Sequence, residues 1–220
     1  MSLIIYIIVT IVIVLLSVTL HEAMHAYASY WLGDDTAFHS GRLTLNPIAH
    51  LDPFLSFLLP LGLAILGLPI FGGAKPVPFN PFRLKYGDWG PAIVAVAGPL
   101  TNLVLAIVSG VWLRFINIPN DTVLFTLQLF VQVNLGFFVF NMLPIPPLDG
   151  SRVLYALSPE SVRRVIEGIE RNSVLLVFMV VILFRSQLSL LIVGVMSPLF
   201  KLITGDSLNQ FFILMQQMVQ

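Results

Sequence analysis

The fold of this chain is decided by residues 3–25, which read LIIYIIVTIVIVLLSVTLHEAMH. The apolar run from Leu3 to Leu20 consists almost entirely of Leu, Ile and Val. At the rise of an α-helix this run extends about 27 Å, close to the thickness of the hydrocarbon core of a bilayer. We therefore expect a membrane-spanning helix that carries the polar sequence HEAMH at its end.

The composition is that of an integral membrane protein. Of the 220 residues, 57% are hydrophobic and 10% are charged, whereas soluble domains carry about 25% charged residues. The 11 basic and 11 acidic residues leave no formal net charge, so nucleic acid is not an expected partner. The absence of cysteine excludes disulfides and thiolate metal sites, so that any metal must be held by His, Asp or Glu. The first apolar segment lacks a basic n-region and a small-residue cleavage site, which favours a retained span over a signal peptide.

His21, Glu22 and His25 form an HExxH motif. Histidines four residues apart lie about one turn from each other on one face of a helix, so both can reach a single ion. In zinc hydrolases with this motif the imidazoles hold zinc and the glutamate removes a proton from the attacking water. Ionisable side chains at the end of a membrane-length helix are costly, which indicates a functional site. The alternative is a helix that emerges into the headgroups with its histidines as interfacial anchors.

The remaining apolar segments predict four to six membrane crossings. Residues 91–113 and 123–143 are clear spans. Residues 54–71 could be a short span or a re-entrant hairpin, and residues 174–203 could be one long helix or two short ones. Residues 72–90 are rich in proline, which predicts extended strand and loop.

An amphipathic helix is predicted to start at Ser158-Pro159-Glu160, because serine is a favourable N-cap and proline fits the first helical position. The sequence thus predicts an all-α polytopic membrane protein. We expect a core over residues 1–157, followed over residues 158–220 by the amphipathic helix and the C-terminal membrane segments.

Basic residues predict the orientation of the chain. Eight of the 11 Lys and Arg lie in residues 34–53, 72–90 and 144–173. Placing these three loops in the cytoplasm satisfies the positive-inside rule. The HExxH motif then lies near the cytoplasmic face.

A zinc site needs a third protein ligand, commonly a carboxylate. Four aspartates lie in or near membrane segments: Asp52, Asp88, Asp121 and Asp149. With the orientation above, Asp149 lies on the same side as the histidines and is the preferred third ligand, with Asp52 second. Asp121 lies on the opposite side. The alternative for Asp149 is an Asp-Gly turn that ends a helix.

Three motifs carry a resemblance to a known family. They are HEAMH at residues 21–25, GPLTN at residues 98–102 and NMLPIPPLDG at residues 141–150. They match the patterns HExxH, GPxxN and NxxPxPxLDG. Through these motifs the chain resembles the site-2 protease family of intramembrane zinc metalloproteases over most of residues 15–157. The chain is most similar to the small, compact members without PDZ or CBS domains.

The resemblance implies one zinc ion held by His21, His25 and Asp149, with Glu22 as the general base. It also implies that Asn141 helps to hold the substrate or the developing oxyanion, for which an amide is a suitable neutral donor.

Four other parts of the chain are weaker candidates. His50, Asp52 and Asn102 could orient a ligand or bind substrate, although for His50 and Asp52 a role as polar loop residues is the favoured alternative. In the family, strand-like segments near the active site pair with an unwound substrate. Residues 72–82 are the candidate for this β-like segment, and a proline-rich surface loop is the alternative.

The implied function is hydrolysis of a peptide bond in or near a transmembrane segment of another protein, as in regulated intramembrane proteolysis. The expected setting is a prokaryotic plasma membrane, with the lipid bilayer around the site and a regulatory partner or a second copy of the chain left open. One alternative is another HExxH membrane metalloprotease whose third ligand is a glutamate, the nearest being Glu160. The other is a non-catalytic metal-binding membrane protein or adaptor, against which the intact Glu22 argues.

Overall fold

The computed structural model describes residues 3–65, 73–116, 118–170, 173–206 and 208–219. Within these ranges the regular elements are all helical and there is no strand. The α-helices in chain order are α1 (Leu3–Trp31), α2 (Thr36–His39), α3 (Pro47–His50), α4 (Leu59–Ile65), α5 (Trp89–Phe115), α6 (Asp121–Asn141), α7 (Gly150–Leu157), α8 (Glu160–Glu170), α9 (Ser173–Leu183), α10 (Arg185–Thr204) and α11 (Leu208–Val219). The predicted all-α fold is confirmed.

Among the described residues four helices are long and apolar enough to cross a membrane, namely α1, α5, α6 and α10. The predicted spans 91–113 and 123–143 correspond to α5 and α6. The chain leaves α1 through Gly33, whose φ of 103° is a left-handed conformation that favours glycine after a helix. The two alternatives for residues 174–203 are resolved in favour of two helices, because α9 ends at Leu183 and α10 begins at Arg185.

The segment predicted as a short span or re-entrant hairpin is partly described. A π-helical turn over Pro53–Leu58 leads into the seven-residue helix α4. The rest of that segment, from residue 66 onwards, lies outside the described residues.

Helix α5 lies at the centre of the bundle, where it contacts α1, α6, α7 and α10. Helix α10 approaches it closely at Gly110, where a Cβ atom would overlap the side chain of Ile203. Small residues allow such close packing of helices in a membrane. The apolar core around these helices is formed by Ile13, Ala106, Phe125, Leu129, Leu135, Phe200 and Phe211.

Neighbouring spans run in alternating directions. The short connection from Phe115 to Asp121 makes α6 antiparallel to α5. Helix α10 is antiparallel to α6, because Gln128 donates to Asp206 at one end while Gly136 faces Met196 further along. The described parts of segments 32–88 and 142–184 therefore lie at the same end of the bundle.

A buried carboxylate anchors the irregular segment 73–80 to the end of α1. Asp34 is fully buried and accepts hydrogen bonds from the Ser29 hydroxyl, the backbone and hydroxyl of Thr36, and the backbone N–H of Asn80. Burial opposes ionisation of Asp34, but these hydrogen bonds hold its pKa below the usual value. The 2.6 Å bond to Asn80 fixes the position at which this segment ends.

The predicted strand-like segment 72–82 has no regular secondary structure over its described residues 73–80, of which Asn80 is extended, and then forms a 3₁₀ turn at Pro81–Arg83. It pairs with no strand in the described part of the chain. Its backbone is held at single points, such as the N–H of Lys75 donating to the carbonyl of His50 at 2.9 Å.

Helix α7 begins one residue after Asp149. Glycine is required at position 150, because a Cβ there would overlap the backbone carbonyl of Met142. The other end of α7 is held by Arg163 of α8, whose guanidinium donates to the carbonyls of Tyr155, Ala156 and Ser158 and pairs with Asp88. The helix predicted after Ser158 is thus present, beginning at Glu160. The predicted serine cap is wrong, because the hydroxyl of Ser158 donates back to the carbonyl of Leu154.

Candidate metal centre

Three side chains from distant parts of the sequence converge inside the bundle. His21 and His25 point from α1, and Asp149 reaches them from the loop before α7. The two Nε2 atoms lie 3.0 Å apart, and Asp149 Oδ2 lies 3.2 Å from His21 Nε2 and 3.4 Å from His25 Nε2. Within the described residues this is the one group of three metal-ligating side chains whose ligand atoms are close together.

These distances fit a single tetrahedral metal ion. Zinc binds nitrogen and oxygen at about 2.0–2.1 Å, which places tetrahedral ligand atoms about 3.3 Å apart. Both imidazoles are buried, and Asp149 Oδ2 is buried without a hydrogen-bond donor. Such a convergence of lone pairs is unfavourable unless a cation lies between them. The residues present therefore fit the zinc that their types imply.

The outer nitrogen of each imidazole fixes its tautomer. His21 Nδ1 lies 2.6 Å from Asn102 Oδ1, and His25 Nδ1 lies 2.8 Å from the carbonyl oxygen of Val94. Because a carbonyl oxygen can only accept, both Nδ1 atoms carry the proton and both Nε2 lone pairs face the centre. Partners of this kind orient histidine ligands and raise their basicity.

Gly98 provides the space in which the two imidazoles meet. A Cβ atom at this position would lie 2.5 Å from His25 Nε2 and 2.7 Å from His21 Nε2. Any side chain would therefore push the rings or a bound ion out of place. Sequence analysis found Gly98 within the GPxxN motif but gave it no role, because the need for glycine depends on how α5 packs against α1.

The two residues expected to act on substrate lie close in sequence to the ligands. Glu22 is half-buried on α1 between the histidines. Asn141 is the last residue of α6, and its amide nitrogen donates to the carbonyl of Phe137 at 3.1 Å. An asparagine amide carries two N–H donors, so a second donor remains.

Two other candidates have local partners. The buried ring of His50 donates from Nε2 to the carbonyl of Thr44, and Asp52 Oδ1 accepts from the backbone N–H groups of Phe54 and Leu55. Asp52 thus caps a helical turn, while Asn102 is the candidate that contacts a histidine of the centre.

The carboxylates offered as alternative ligands have other surroundings. Glu160 pairs with Arg164 on the exposed side of α8, and Asp88 pairs with Arg163. Asp121 begins α6, at the end of that helix opposite Asn141.

Asn134 was not among the site residues expected from the sequence. In the structure it is fully buried and accepts a hydrogen bond from Asn102, the partner of His21. The signal available in the sequence was an amide in the middle of an apolar span, which predicts a buried partner without identifying it.

Comparisons with known proteins identify the family to which the chain is similar. Residues 115–185 match the model of peptidase family M50. The chain is 39% identical over 171 residues to the Bacillus subtilis protein named "Putative zinc metalloprotease YwhC", covering 74% of each chain. It is 33% identical over 193 residues to the Mycobacterium tuberculosis protein named "Putative zinc metalloprotease Rip2", covering 86% of this chain and 71% of the relative. No solved structure matches the chain.

Proposed function

Because the chain belongs to peptidase family M50, the site-2 protease family of zinc metalloproteases, we propose that it cleaves a peptide bond in or near a transmembrane segment of another membrane protein. Membership in this family makes the chain a zinc-dependent metalloendopeptidase that is itself an integral membrane protein. The membrane-embedded substrate and a role in regulated intramembrane proteolysis are the proposal.

One observation carries this proposal. The two histidines of the centre formed with Asp149 lie on α1, directly after the run Leu3–Leu20, which is long and apolar enough to cross a bilayer. Both histidines are buried. A hydrolytic centre at such a position is suited to substrates that reach it through the membrane.

In the proposed mechanism His21, His25 and Asp149 would hold zinc, which would supply the Lewis acidity that polarises a scissile carbonyl and lowers the pKa of water. Glu22 accepts a proton from the water whose oxygen bonds to the carbonyl carbon. Asn141 donates its free N–H to the oxygen on which negative charge develops. Glu22 then returns the proton to the leaving nitrogen as the C–N bond breaks, which yields a carboxylic acid and an amine.

The substrate must unwind before it can react. In a transmembrane helix each carbonyl is engaged by an N–H four residues along the chain, so a helical substrate offers no free carbonyl. We expect cleavage near helix-breaking residues. Residues 73–80 remain the candidate to pair with the unwound segment, since they form no helix and are sparsely hydrogen-bonded to the rest of the described chain.

We place the centre toward the cytoplasmic side of a prokaryotic plasma membrane. The described parts of segments 32–88 and 142–184 share one end of the bundle and contain most of the basic residues, whereas Arg114 and Lys201 lie near the other ends of α5 and α10. The positive-inside rule assigns the first of these ends to the cytoplasm.

Purified full-length protein, incubated with a panel of single-span membrane substrates, tests the proposal. Wild type is compared with Glu22→Gln and with wild type plus a chelator, and the zinc content of each preparation is measured. We expect cleavage by wild type alone and equal zinc in both proteins. Cleavage by Glu22→Gln would refute the role of Glu22 as base. Equal zinc with no cleavage by wild type of any substrate would favour a metal-binding protein without protease activity.

A further inference from the structure

A chain of hydrogen bonds links the metal centre to α6 across three helices. His21 Nδ1 on α1 donates to Asn102 Oδ1 on α5 at 2.6 Å. The amide nitrogen of Asn102 donates to Asn134 Oδ1 on α6 at 2.9 Å, and the amide nitrogen of Asn134 donates to the carbonyl of Phe130 at 2.9 Å. Asn102 and Asn134 are both fully buried.

The direction of this chain is fixed at its far end. The carbonyl of Phe130 can only accept, so the amide nitrogen of Asn134 must face it and its oxygen must face Asn102. Asn102 consequently presents its nitrogen to Asn134 and its oxygen to His21. An oxygen there requires the proton of His21 on Nδ1, which leaves the lone pair of Nε2 free for a metal.

An inverted Asn102 amide would have the opposite effect. Its nitrogen would face His21 and favour the tautomer with the proton on Nε2, which cannot bind a metal through that atom. Two acceptors oppose the inversion, namely Asn134 Oδ1 at 2.9 Å and the carbonyl of Ser17 at 3.3 Å. Asn134 provides the shorter of the two bonds.

We propose that Asn134 is a positioning residue of the zinc site, which acts through Asn102 to select the metal-binding tautomer of His21. This inference rests on the proposed role of His21 as a zinc ligand. Asn134 touches neither the ligands nor the substrate, so its effect must pass through the amide of Asn102.

The test is the zinc affinity of the full-length protein in detergent, measured by competition with a chelator. Loss of a hydrogen-bond partner next to a ligand typically weakens metal binding about 10–100-fold, which is the effect expected of Asn102→Ala. For Asn134→Leu, one residue further out and with the Ser17 contact retained, we expect about 3–10-fold weaker binding. Asn134→Asp, as the neutral acid that full burial favours, keeps an oxygen facing Asn102 and an O–H facing the carbonyl of Phe130, and should bind zinc within about twofold of wild type.

A matched control exists on the same helix. Gln128 is a buried amide of α6 that donates to Asp206, away from the centre. Gln128→Leu therefore removes a buried hydrogen bond but none of those that link His21, Asn102 and Asn134, and should leave the zinc affinity unchanged. If Asn134→Leu does not fold, Asn134→Ala removes the same groups without added bulk.

The double variant Asn102→Ala/Asn134→Leu separates positioning from packing. If Asn134 acts through Asn102, the double variant binds zinc as weakly as Asn102→Ala alone, because the coupling term cancels the second loss. If Asn134→Leu weakens zinc binding by the same factor in the Asn102→Ala background as in wild type, its effect comes from packing and the inference is overturned. Wild-type affinity in Asn134→Leu would also overturn it.

A spectroscopic readout addresses the tautomer directly. Nitrogen chemical shifts of labelled, metal-free protein should show His21 with its proton on Nδ1 in wild type and a mixture of tautomers in Asn134→Leu. An unchanged tautomer in that variant would refute the inference. Zinc binding by wild type without proteolysis would overturn the proposed protease function alone, whereas a folded wild type that binds no zinc would overturn both.

Discussion

Replacing Gly98 by alanine should disable the metal centre by adding a single methyl group. The Cβ would lie 2.5 Å from His25 Nε2 and 2.7 Å from His21 Nε2, whereas ordinary van der Waals contact begins near 3.4 Å. The rings or the helices must therefore move apart by about 0.7–0.9 Å, since neither ring has space to spare. Gly98 has no left-handed backbone that would itself require glycine, so the substitution tests space alone.

The displacement exceeds what a zinc site tolerates. Ligand distances in such sites are held to within about 0.2 Å, so we expect zinc affinity to fall at least about 10-fold. A misplacement of about 1 Å can reduce catalysis about 100-fold, which is the loss of cleavage expected here. Overpacking should also lower the free energy of unfolding by about 1–3 kcal/mol.

The assay combines zinc competition, cleavage of a membrane substrate and thermal unfolding. Gly136→Ala is the matched control, because it adds the same methyl to another membrane helix, where the nearest atom would be Met196 Cε at 3.9 Å. The control should keep wild-type zinc affinity and activity. Wild-type zinc affinity and cleavage in Gly98→Ala would refute the claim that this glycine makes room for the ligands.

Three further predictions follow from named contacts. Asp149→Asn should abolish zinc binding measured by metal analysis, because it removes the charged ligand, while Asp52→Asn should retain zinc because Asp52 only caps a local turn. The lowered pKa of Asp34 means that its contribution to stability is complete above its ordinary pKa of 3.8 and is lost as the pH falls below that value. Thermal unfolding of wild type should therefore show a drop in this acid range that Asp34→Asn lacks, and identical pH profiles would contradict it. Arg163→Met should lower the free energy of unfolding by about 1–3 kcal/mol, since it leaves the carbonyls at the end of α7 without donors. Arg164→Met, which breaks an exposed pair, should change it by less than about 0.5 kcal/mol, and equal effects of the two variants would refute the difference.

The membrane spans were predictable because hydropathy is a local property of the chain. The run from Leu3 to Leu20 gave α1, and the spans at 91–113 and 123–143 gave α5 and α6 to within about two residues at each end. Residues 174–203 left two alternatives, because Arg185 can begin a second helix or interrupt one long helix. The structure starts α10 at that residue, a choice that depends on packing against α5 and α6.

The candidate site also contains residues that the sequence predicts and residues that it does not. The histidines follow from their spacing on one helix, and Asp149 from the orientation of the loops, so these three could be proposed before the fold was known. The partners of the histidines could not, because a carbonyl such as that of Val94 has no signature in the sequence. The same holds for the pairing of Asn102 with Asn134, since many buried amides in membrane helices bond only to their own helix.

The arrangement of the centre follows from the equal four-residue spacing of the residues that α1 and α5 present to each other. Val94, Gly98 and Asn102 are spaced four residues apart, so they lie on one face of α5 at intervals of about 6 Å. His21 and His25 have the same spacing on α1, which runs in the opposite direction.

Each position on this face of α5 serves a different part of the histidine pair. At one end Val94 accepts the Nδ1 proton of His25, and at the other Asn102 accepts that of His21. Between them Gly98 leaves the space in which the two Nε2 atoms meet. Rotating α5 by one residue, about 100°, would remove all three functions together while leaving its hydropathy unchanged. The metal centre therefore depends on the register between α1 and α5, which the GPxxN motif encodes through the size of one residue and the hydrogen bonding of another.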